Sequence, residues 1–572
     1  MAHLYSLRIH HYRGIQDLDV TFGNTKFVVI IGRGDSGKTT ILKAIAAVLS
    51  PNWNLSFSDW DFYQCNTEDP IVIEAVVKDL PDELLTQNKY GLCFGLLKND
   101  GTITYEVADI PEDQQDQYEK ILTIRLTVSE NLEPKWTVIS GPNHDIETEI
   151  SASDRAKLRM YQVSDYIDNH FSYSKGSPLF SLLRKDVDNK NAAGEKILAM
   201  VRNAFKVIKE DNAFVEFNEV RDAIVKQAKD LGLNLTDLST LVEFKENAYS
   251  ESNITLHSNG IPYRLHGKGS KRLLSIAIQR GLVEEGGIML IDELEQGMEP
   301  DRSRNLARLL KQTKKGQVFV TTHSRAVLVE VSDDCLFLLH DDGNGFVRFS
   351  GIHQRMLRRI PEAVLAKRVI CCEGLTETGI IRSFDDFLLE KRGFGLAAQG
   401  IVYVNSGGGN KFYTDAIRLK EKGIDACVMA DDDTDKDLEK AINEAKKNNV
   451  AGVICEKGKA IEDMLFAYLP WNTMGDLLRF AEKEKTHSGV FPILTYTTIE
   501  SIEAVTDEEE QKKIRNECAE KATSKSGSWY KSIDGGEYVG NLWLRNLHIM
   551  DKDCGLRKEF DEMMKWIGDD IN

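Results

Sequence analysis

A glycine-rich segment, GRGDSGKT at residues 32–39, separates a strand-like stretch from a helix-like stretch of the chain. The apolar run Phe27–Ile31 before it is typical of a strand buried on both faces. The residues after it recur at helical spacing, at Ile41, Leu42, Ile45, Ala46 and Leu49. A strand, a loop of this composition and a helix, in that order, form the setting in which a phosphate-binding loop works. The sequence therefore predicts an α/β domain that binds a nucleoside triphosphate.

The loop itself supplies the expected phosphate contacts. Glycines let successive backbone N–H groups close around phosphate oxygens at the N-terminus of a helix. Lys38 is expected to reach the β- and γ-phosphates, and the Thr39 hydroxyl to ligate Mg²⁺. The predicted nucleotide-binding residues of this loop are Gly32, Gly34, Asp35, Ser36, Gly37, Lys38, Thr39 and Thr40.

A second apolar run supplies the acidic half of an ATPase site. Ile288–Ile291 ends directly in Asp292 and Glu293. A carboxylate at the end of a buried strand can hold Mg²⁺, so we assign Asp292 to the metal and Glu293 to the attacking water. His323 follows the next predicted strand, where its imidazole would sense the γ-phosphate. The expected cofactors of this site are ATP and one Mg²⁺ ion.

Four segments together resemble the ABC-type ATPase heads of the structural-maintenance and RecF class. They are residues 7–15, 267–272, 291–300 and 321–324. The resemblance implies that Gly267, Gly269 and Ser270 form a signature segment, which closes over ATP held by a second subunit. This segment lacks the LSGGQ sequence motif of the class, and Asp35 occupies a position of the phosphate-binding loop where the class often has Asn. We therefore expect ATP hydrolysis to be slow.

The hydrophobic periodicity predicts the domain organisation. Residues 1–152 and 249–350 contain the ATPase motifs and have a largely strand-like pattern of apolar residues. In residues 153–248 the apolar residues instead recur with a period of 3.6 residues, which is typical of helices. The span between the two halves of the site is too short for a long coiled coil, so we expect residues 153–248 to be a compact helical insertion for dimerisation. A basic stretch at 351–366 is predicted to be a linker, and residues 367–572 to be a second domain.

Strands alternate with helices in the second domain, which predicts a parallel sheet. Acidic residues follow two of its strands, Glu373 and Glu377 after one, Asp431 and Asp433 after another. Because parallel strands place such residues at one sheet edge, these carboxylates are expected to share hard cations. Oxygen ligands favour Mg²⁺ or Mn²⁺ over Zn²⁺, and two such ions support phosphodiester cleavage. A glycine-rich turn at 405–411 would admit a phosphate backbone.

The EGxTE motif at residues 373–377 and the DxD motif at residues 431–433 resemble those of a TOPRIM domain, the metal-binding module of topoisomerases, primases and certain nucleases. An ABC-type ATPase head followed by a TOPRIM domain resembles the OLD (overcoming lysogenisation defect) family of nucleases. That family includes the Gabija nuclease subunit and some retron-associated effectors. The resemblance implies an ATP-regulated, divalent-metal-dependent DNA endonuclease or nickase that acts in antiphage defence.

The same resemblance implies that a later acid and a lysine complete the metal site. Glu462 is our choice for the acid, with Asp463 as its rival, and Lys531 is preferred to Lys525 for the lysine. A cation there would stabilise the charge of the pentacoordinate phosphate. The predicted catalytic set, which binds two Mg²⁺ or Mn²⁺ ions through its acids, is Glu373, Glu377, Asp431, Asp433, Glu462 and Lys531.

The implied partners are DNA and further copies of this chain, in a homodimer or a higher homo-oligomer. A helicase, or a reverse transcriptase with its RNA, is the implied partner within a defence system. The alternative function is an ATP-driven DNA clamp or repair scaffold, whose second domain would bind metal without cutting. A topoisomerase would require a nucleophilic tyrosine in a DNA-gate domain, and a transporter ATPase would leave the second domain unexplained.

The net charge of −18 does not exclude a DNA partner, because basic residues are clustered. We expect DNA to lie along Arg355, Arg358, Arg359, Lys367 and Arg368 in the linker region, Lys411 beside the glycine-rich turn, and Lys521, Lys525 and Lys531 near the C-terminus. DNA binding is then expected to be weak, salt-sensitive and metal-dependent. No apolar run is long enough to span a bilayer, and the N-terminal residues do not resemble a signal peptide. The nine cysteines lack paired CxxC spacing. These features predict a cytoplasmic protein with reduced thiols, no membrane partner and no structural zinc.

Overall fold

The computed structural model describes residues 2–105, 118–141, 146–163, 168–171, 177–179, 215–233, 235, 237–242, 254–284, 286–340, 345–351, 354–432, 436–524 and 527–568. The chain divides into two compact units, Met1–Gly351 (unit 1) and Ile352–Asn572 (unit 2). Within the described residues, every helix is too short or too polar to cross a lipid bilayer.

Unit 1 contains seventeen described strands and seven described helices. The strands are β1 (His3–Tyr12), β2 (Ile15–Thr21), β3 (Phe27–Ile31), β4 (Ile71–Lys78), β5 (Phe94–Leu97), β6 (Ile103–Thr104), β7 (Glu119–Val128), β8 (Pro134–Ile139), β9 (Glu147–Glu149), β10 (Met160–Val163), β11 (Leu238–Val242), β12 (Ile254–Ser258), β13 (Ile261–Pro262), β14 (Ile288–Ile291), β15 (Gln317–Thr321), β16 (Leu336–Leu339) and β17 (Phe346–Arg348). The helices are α1 (Lys38–Val48), α2 (Gln87–Tyr90), α3 (Ala152–Ala156), α4 (Val215–Asp230), α5 (Lys268–Val283), α6 (Pro300–Lys311) and α7 (Arg325–Leu328).

The strands of unit 1 form three sheets. An eight-stranded antiparallel sheet runs β2-β1-β4-β7-β5-β6, with β8 and β9 continuing from β7. A six-stranded sheet runs β10-β14-β15-β3-β16-β17, in which β17 alone is antiparallel to its neighbour. The third sheet contains β11, β12 and β13. The six-stranded sheet, here called the nucleotide sheet, therefore brings the carboxyl ends of β3, β14 and β15 to one edge.

A shared apolar core holds the two large sheets together. Every residue of Phe27–Ile31 is buried, as expected for a strand covered on both faces. Phe22, which follows β2 of the antiparallel sheet, packs edge-on against Phe319 and Phe337 of the nucleotide sheet, with ring centroids 5.0 and 5.6 Å away. Unit 1 thus has the α/β architecture with a phosphate-binding loop that the sequence predicted.

The range 153–248, for which we expected a helical insertion, is described in part. Helix α4 lies in it, but Met160–Val163 and Leu238–Val242 are strands. β10 pairs in parallel with β14, so residues 160–163 belong to the nucleotide sheet. Apolar runs this short do not distinguish a strand from a helix by periodicity, which is why the sequence did not show them. Within the predicted insertion, residues 164–167, 172–176, 180–214, 234, 236 and 243–248 lie outside the described residues, and its dimerisation role stays a prediction.

Unit 2 contains four strands and eleven described helices around one parallel sheet. The strands are β18 (Arg368–Cys372), β19 (Ile401–Asn405), β20 (Asp425–Ala430) and β21 (Ala451–Ile454), in the order β19-β18-β20-β21. The helices are α8 (Gln354–Arg359), α9 (Leu375–Arg392), α10 (Lys411–Glu421), α11 (Lys436–Lys447), α12 (Ile461–Tyr468), α13 (Met474–Glu484), α14 (His487–Val490), α15 (Ile499–Glu503), α16 (Glu508–Thr523), α17 (Ile533–Asn546) and α18 (Gly555–Ile567). The predicted alternation of strands and helices is confirmed.

The described part of the predicted linker, residues 351–366, is largely helical. It contains helix α8 and a 3₁₀ segment, Pro361–Leu365, and both belong to unit 2. Met356 and Leu357 are buried in unit 2. The basic composition of this stretch predicted a linker, but these apolar residues give α8 one face that packs and one that stays in water.

Candidate functional site

The phosphate-binding loop joins β3 to α1 with an open helix N-terminus. Asp35 and Gly37 have positive φ values of 62° and 101°, which turn the backbone away from the strand direction. Helix α1 begins at Lys38, receives no side-chain cap from Gly37 and has no acidic residue in its first turn. The first-turn N–H groups therefore lack a side-chain acceptor, and a phosphate is the anion that such an arrangement binds.

The Lys38 side chain lies within the loop. It is 7% exposed, and its ammonium donates to the carbonyl oxygen of Arg33 and lies 3.4 Å from Ser36 Oγ. Thr39, the next residue, is exposed, so its hydroxyl is accessible to a metal ion. Position 32 has no room for a larger side chain, because a Cβ there would lie 2.7 Å from the Leu339 carbonyl oxygen.

The acidic turn after β14 is fixed to the end of β15. Thr321 Oγ1 donates to Asp292 Oδ1 at 2.6 Å and accepts from the Glu293 N–H at 2.7 Å. Glu295 accepts from the Thr322 hydroxyl at 2.7 Å and from the His323 N–H at 2.6 Å. Thr321 and Glu295 were not among the predicted site residues, although both lie within the segments that carried the resemblance.

His323 lies among the other predicted ATPase residues. Burial and the nearby Lys38 charge lower the pKa of its imidazole, while the charges of Glu293 and Asp292 oppose this. The structure therefore brings Lys38, Asp292, Glu293 and His323 to one edge of the nucleotide sheet. A neutral imidazole there can hydrogen-bond a phosphate oxygen, as expected of a γ-phosphate sensor.

The predicted signature segment packs against the turn that follows Asp292. Gly267 precedes α5, and a Cβ at Gly269 would lie 2.3 Å from the Gly297 carbonyl oxygen, so glycine is required by contact. Arg272 donates to the backbone oxygens of Asp292 and, at 3.0 Å, of Glu293. Arg272 was not among the predicted site residues, and its buried guanidinium ties the signature helix to the acidic turn.

Two adjacent strands of unit 2 end in acidic residues at the same sheet edge. Glu373 follows β18 and Asp431 follows β20, and these strands are parallel neighbours. The Asp431 N–H donates to Glu373 Oε2 at 3.2 Å. Asp431 Oδ1 accepts from the N–H of Ile461 at 2.8 Å, which fixes the start of α12 to the sheet edge.

Two further carboxylates come from the first turns of α9 and α12. Glu377 and Glu462 are 5% and 2% exposed. Glu377 Oε2 accepts from the Gly374 N–H at 2.8 Å, whereas Glu462 Oε1 is buried without a hydrogen-bond partner. Leaving a carboxylate oxygen unpaired in the interior is costly, so this position requires a proton or a cation.

Burial and mutual repulsion act on the pKa values of these acids. Burial and, to a lesser extent, the Asp431 charge raise the pKa of Glu377 to about 7 and that of Glu462 to about 8. The Lys531 charge opposes the shift at Glu462. The structure therefore brings Glu373, Glu377, Asp431, Glu462 and Lys531 together. A bound divalent cation would allow these carboxylates to ionise together.

The neighbouring acid, Asp463, has a different role from Glu462. Its Oδ2 accepts from the Ala460 N–H at 2.8 Å and so caps the N-terminus of α12. This contact supports Glu462 as the site acid. Asp433 and Lys525 lie outside the described residues, so the DxD partner and the preference for Lys531 over Lys525 stay predictions.

A close helix crossing positions the segment that carries Lys531. A Cβ at Gly536 of α17 would lie 2.1 Å from the Thr376 carbonyl oxygen, and one at Gly379 of α9 would lie 2.8 Å from Gly536 Cα. The Thr376 hydroxyl also donates to the Tyr530 carbonyl oxygen at 3.2 Å. Only glycines permit these two helices to approach so closely, and this approach places Lys531 near the acids of α9 and α12.

Sequence analysis missed two buried groups beside the acids. Glu559 of α18 has an unpartnered Oε1, and burial raises its pKa to about 8, with Asp431 adding to the shift. Tyr413 of α10 has an unpartnered hydroxyl, and burial together with the Glu373 charge raises its pKa. For Glu559 a signal existed, because it interrupts an apolar helix face formed by Leu556, Phe560 and Met563.

The acids of unit 2 share one site without converging on a point. In the part of unit 2 that the structure describes, no three ligand atoms of His, Cys, Asp or Glu all lie within 4.8 Å of one another. Carboxylates repel one another when no cation lies between them, which keeps their oxygens apart. Two half-buried acids at strand ends and two buried acids at helix starts, one of them with an unpartnered oxygen, nevertheless fit a divalent cation better than any neutral ligand.

Two basic residues that we expected to contact DNA have structural roles instead. Arg359 donates to the buried carboxylate of Asp415, and Arg368 pairs with Asp425 at 3.3 Å and bonds backbone carbonyl oxygens near the end of α18. A basic run in the sequence carries no information about such buried acceptors. Three exposed residues of the run remain candidates for DNA contact, namely Arg355, Arg358 and Lys367.

The raised pKa values predict how the stability of unit 2 depends on pH. Between about pH 5 and pH 8 the folded chain retains protons on Glu377 and Glu462 that the unfolded chain has lost, so the free energy of unfolding falls as pH rises. In EDTA we expect the unfolding temperature to fall by at least about 4 °C over this range. Differential scanning fluorimetry measures this. A Glu462→Gln variant should show a smaller fall, and an unchanged slope would contradict the assignment.

Comparisons with known proteins relate the chain to ATPases. A family model described as "AAA domain, putative AbiEii toxin, Type IV TA system" matches residues 27–330, more than half of the chain. The chain is also 21% identical over 384 residues to the retron Vc95 probable ATPase of Vibrio cholerae serotype O1 biovar El Tor. That alignment covers 59% of this chain and 73% of the Vibrio protein.

Two solved structures show some similarity to the chain, at low identity and low TM-score. An Smc head domain with an extended coiled coil, bound to the C-terminal domain of ScpA derived from Pyrococcus furiosus, has 14% identity and a TM-score of 0.36, covering 61% of this chain and 96% of that chain. The recombination mediator protein RecF bound to ATP has 14% identity and a TM-score of 0.34, covering 61% of this chain and 98% of that chain.

Proposed function

The chain belongs to the family described as AAA domain, putative AbiEii toxin, type IV TA system, and from this premise we propose that its ATPase unit regulates a metal-dependent DNA nuclease in unit 2. The nuclease would be an endonuclease or nickase of the OLD type, with unit 2 as a TOPRIM domain. The observation that carries the proposal is the cluster of acids at one edge of the unit 2 sheet, in which Glu377 and Glu462 are buried and Glu462 Oε1 has no hydrogen-bond partner.

The composition of the cluster supports phosphodiester chemistry. Glu373, Glu377, Asp431 and Glu462 supply only oxygen ligands, which select Mg²⁺ or Mn²⁺. Two such ions would activate water and stabilise the leaving oxygen of an in-line displacement. Backbone hydrogen bonds hold three of these acids in place. The N–H groups of Asp431, Gly374 and Ile461 donate to Glu373, Glu377 and Asp431, respectively.

Two basic side chains have distinct roles in the proposal. Lys531 is exposed and acts electrostatically on Glu462, so its ammonium lies where it can offset the charge of a phosphate at the acids. Lys411 is exposed at the start of α10, directly after the glycine-rich turn. Gly407 and Gly409 of that turn have φ values of 80° and 78°, which leave its backbone open to a DNA strand.

ATP would act through the dimeric arrangement that the ABC-type resemblance implies. The signature segment of one subunit would close over ATP bound at Lys38 and Asp292 of another. Because Arg272 joins the signature helix to the backbone of Asp292 and Glu293, closure at one site would be transmitted to the acidic turn of the same subunit. The chain would therefore work as a homodimer or a higher homo-oligomer.

The biological setting that we propose is antiphage defence in the cytoplasm. The similarity to a protein named a retron probable ATPase supports this setting. A reverse transcriptase with its RNA, or a helicase, would then be the partner, and phage or replicating DNA the substrate.

The proposal is tested by comparing the purified chain with its Glu373→Ala variant on circular DNA in Mn²⁺. We expect the variant to lose cleavage, since Glu373 contacts Asp431 at the centre of the cluster. Cleavage at the same rate in both proteins would refute the proposal. Metal-dependent DNA binding without cleavage in either protein would favour the alternative, an ATP-driven clamp.

A further inference from the structure

Two histidines and an aspartate lie together in unit 1, outside both sites described above. His10 and His11 are near the end of β1, and Asp69 lies just before β4. His10 Nε2 is 3.0 Å and His11 Nδ1 is 3.5 Å from Asp69 Oδ2. Among the described residues this is the one group of three ligand atoms of His, Cys, Asp or Glu that all lie within 4.8 Å of one another.

The hydrogen bond of His11 determines which of its nitrogens faces Asp69. His11 Nε2 lies 2.7 Å from the Asn66 carbonyl oxygen, which can only accept, so Nε2 carries the hydrogen. In the neutral ring Nδ1 then presents a lone pair to Asp69 Oδ2. Two acceptors that face each other beside a 6% exposed side chain require a positive species between them.

His10 has the partners of a metal-binding histidine. Its Nδ1 lies 2.7 Å from Asp17 Oδ1, on the side away from Asp69. A histidine ligand almost always donates its second N–H to a carboxylate or a backbone carbonyl, which fixes the ring and its tautomer. Here Asp17 is the acceptor for the second N–H of His10, and the Asn66 carbonyl oxygen is the acceptor for that of His11.

The distances and the backbone also fit a metal ion. Bond lengths of about 2.0–2.1 Å in a tetrahedral zinc site separate neighbouring ligand atoms by about 3.3 Å, close to the observed 3.0 and 3.5 Å. Successive strand residues normally point to opposite faces, but His11 has φ of 57°, which breaks this alternation. Both imidazoles therefore reach the same carboxylate.

We propose that His10 Nε2, His11 Nδ1 and Asp69 Oδ2 bind a Zn²⁺ ion, with a further coordination position open to solvent on the exposed side of Asp69. The ion would join the segment around residues 66–69 to β1. The cysteine pattern predicted no structural zinc, and this site contains no cysteine, so a search for cysteine motifs does not find it.

Zinc content tests the proposal in the full chain. The parent protein carries Asp431→Asn, which weakens metal binding by the acids of unit 2, and is stripped with EDTA and equilibrated with Zn²⁺. Mass spectrometry of the metal should find one equivalent per chain. A further Asp69→Asn or His10→Gln change should remove it, and Asp17→Asn should weaken zinc binding by about 10- to 100-fold.

The matched control is His487→Gln, which alters an exposed histidine that also pairs with one carboxylate, Glu482. It should keep the full zinc content. Asp69 is 46% exposed, so Asp69→Asn is expected to stay folded, which circular dichroism verifies. No zinc in the parent protein, or equal zinc in the parent and Asp69→Asn proteins, would overturn the proposal.

Discussion

The Lys38→Ala variant is expected to lose ATP affinity by about 100-fold or more while remaining folded. Its ammonium lies inside the phosphate-binding loop, and a charged hydrogen-bond donor to a phosphate contributes about 3 kcal/mol, which corresponds to a factor of this size. Binding of a fluorescent ATP analogue measures the loss. The expected control is Lys26→Ala, which removes an exposed lysine just before the same strand and should leave ATP affinity unchanged.

The same variant tests how ATP regulates unit 2. The acids of unit 2 are built from β18, β20, α9 and α12, so their metal binding should survive the loss of ATP binding. Equal ATP affinity in Lys38→Ala and the unaltered chain would contradict the assignment of the nucleotide site. A change in DNA cleavage with ATP that persists in Lys38→Ala would show that ATP acts elsewhere.

The Asp431→Asn variant is expected to lose DNA cleavage by about 1000-fold or more. Asp431 contacts Glu373 and α12 and raises the pKa of Glu377 and Glu462 through its charge, so it lies at the centre of the acidic cluster. Removing that charge weakens the attraction for a divalent cation, which contributes several kcal/mol to phosphodiester cleavage. Initial rates of plasmid nicking in Mn²⁺ measure the loss.

The neighbouring residue provides the matched control for this experiment. Asp432 accepts from the Gly458 N–H at 3.1 Å and so supports the loop that follows β21. Asp432→Asn should therefore keep its nicking rate within about 3-fold, since an amide oxygen can accept the same hydrogen bond. Similar losses in both variants would indicate a general effect of this loop and not a metal site.

The sequence predicted the parts of the fold in which local pattern and tertiary structure agree. Strand β18, Arg368–Cys372, ends directly before Glu373 as the sequence predicted, and Glu373 and Asp431 meet because parallel strands end at one edge. The phosphate-binding loop and the acidic turn at Asp292 were predicted for the same reason. Each depends on a short motif and on one rule of sheet geometry.

The parts that the sequence did not show depend on contacts between distant residues. Arg272 meets the backbone of Asp292, and Glu559 approaches Asp431 from a helix over one hundred residues away in the chain. The strand Met160–Val163 joins the nucleotide sheet although its pattern is too short to identify. The pairing of Arg359 with a buried acid likewise requires the fold to be known.

Cleavage of supercoiled plasmid by the unaltered chain tests the central claim most directly. The protein is incubated with the plasmid in Mn²⁺, with and without EDTA, and the products are separated by electrophoresis. We predict nicked or linear DNA in Mn²⁺ and intact supercoiled DNA when EDTA removes the metal. Supercoiled DNA that persists under both conditions, with and without ATP, would contradict a nuclease in unit 2.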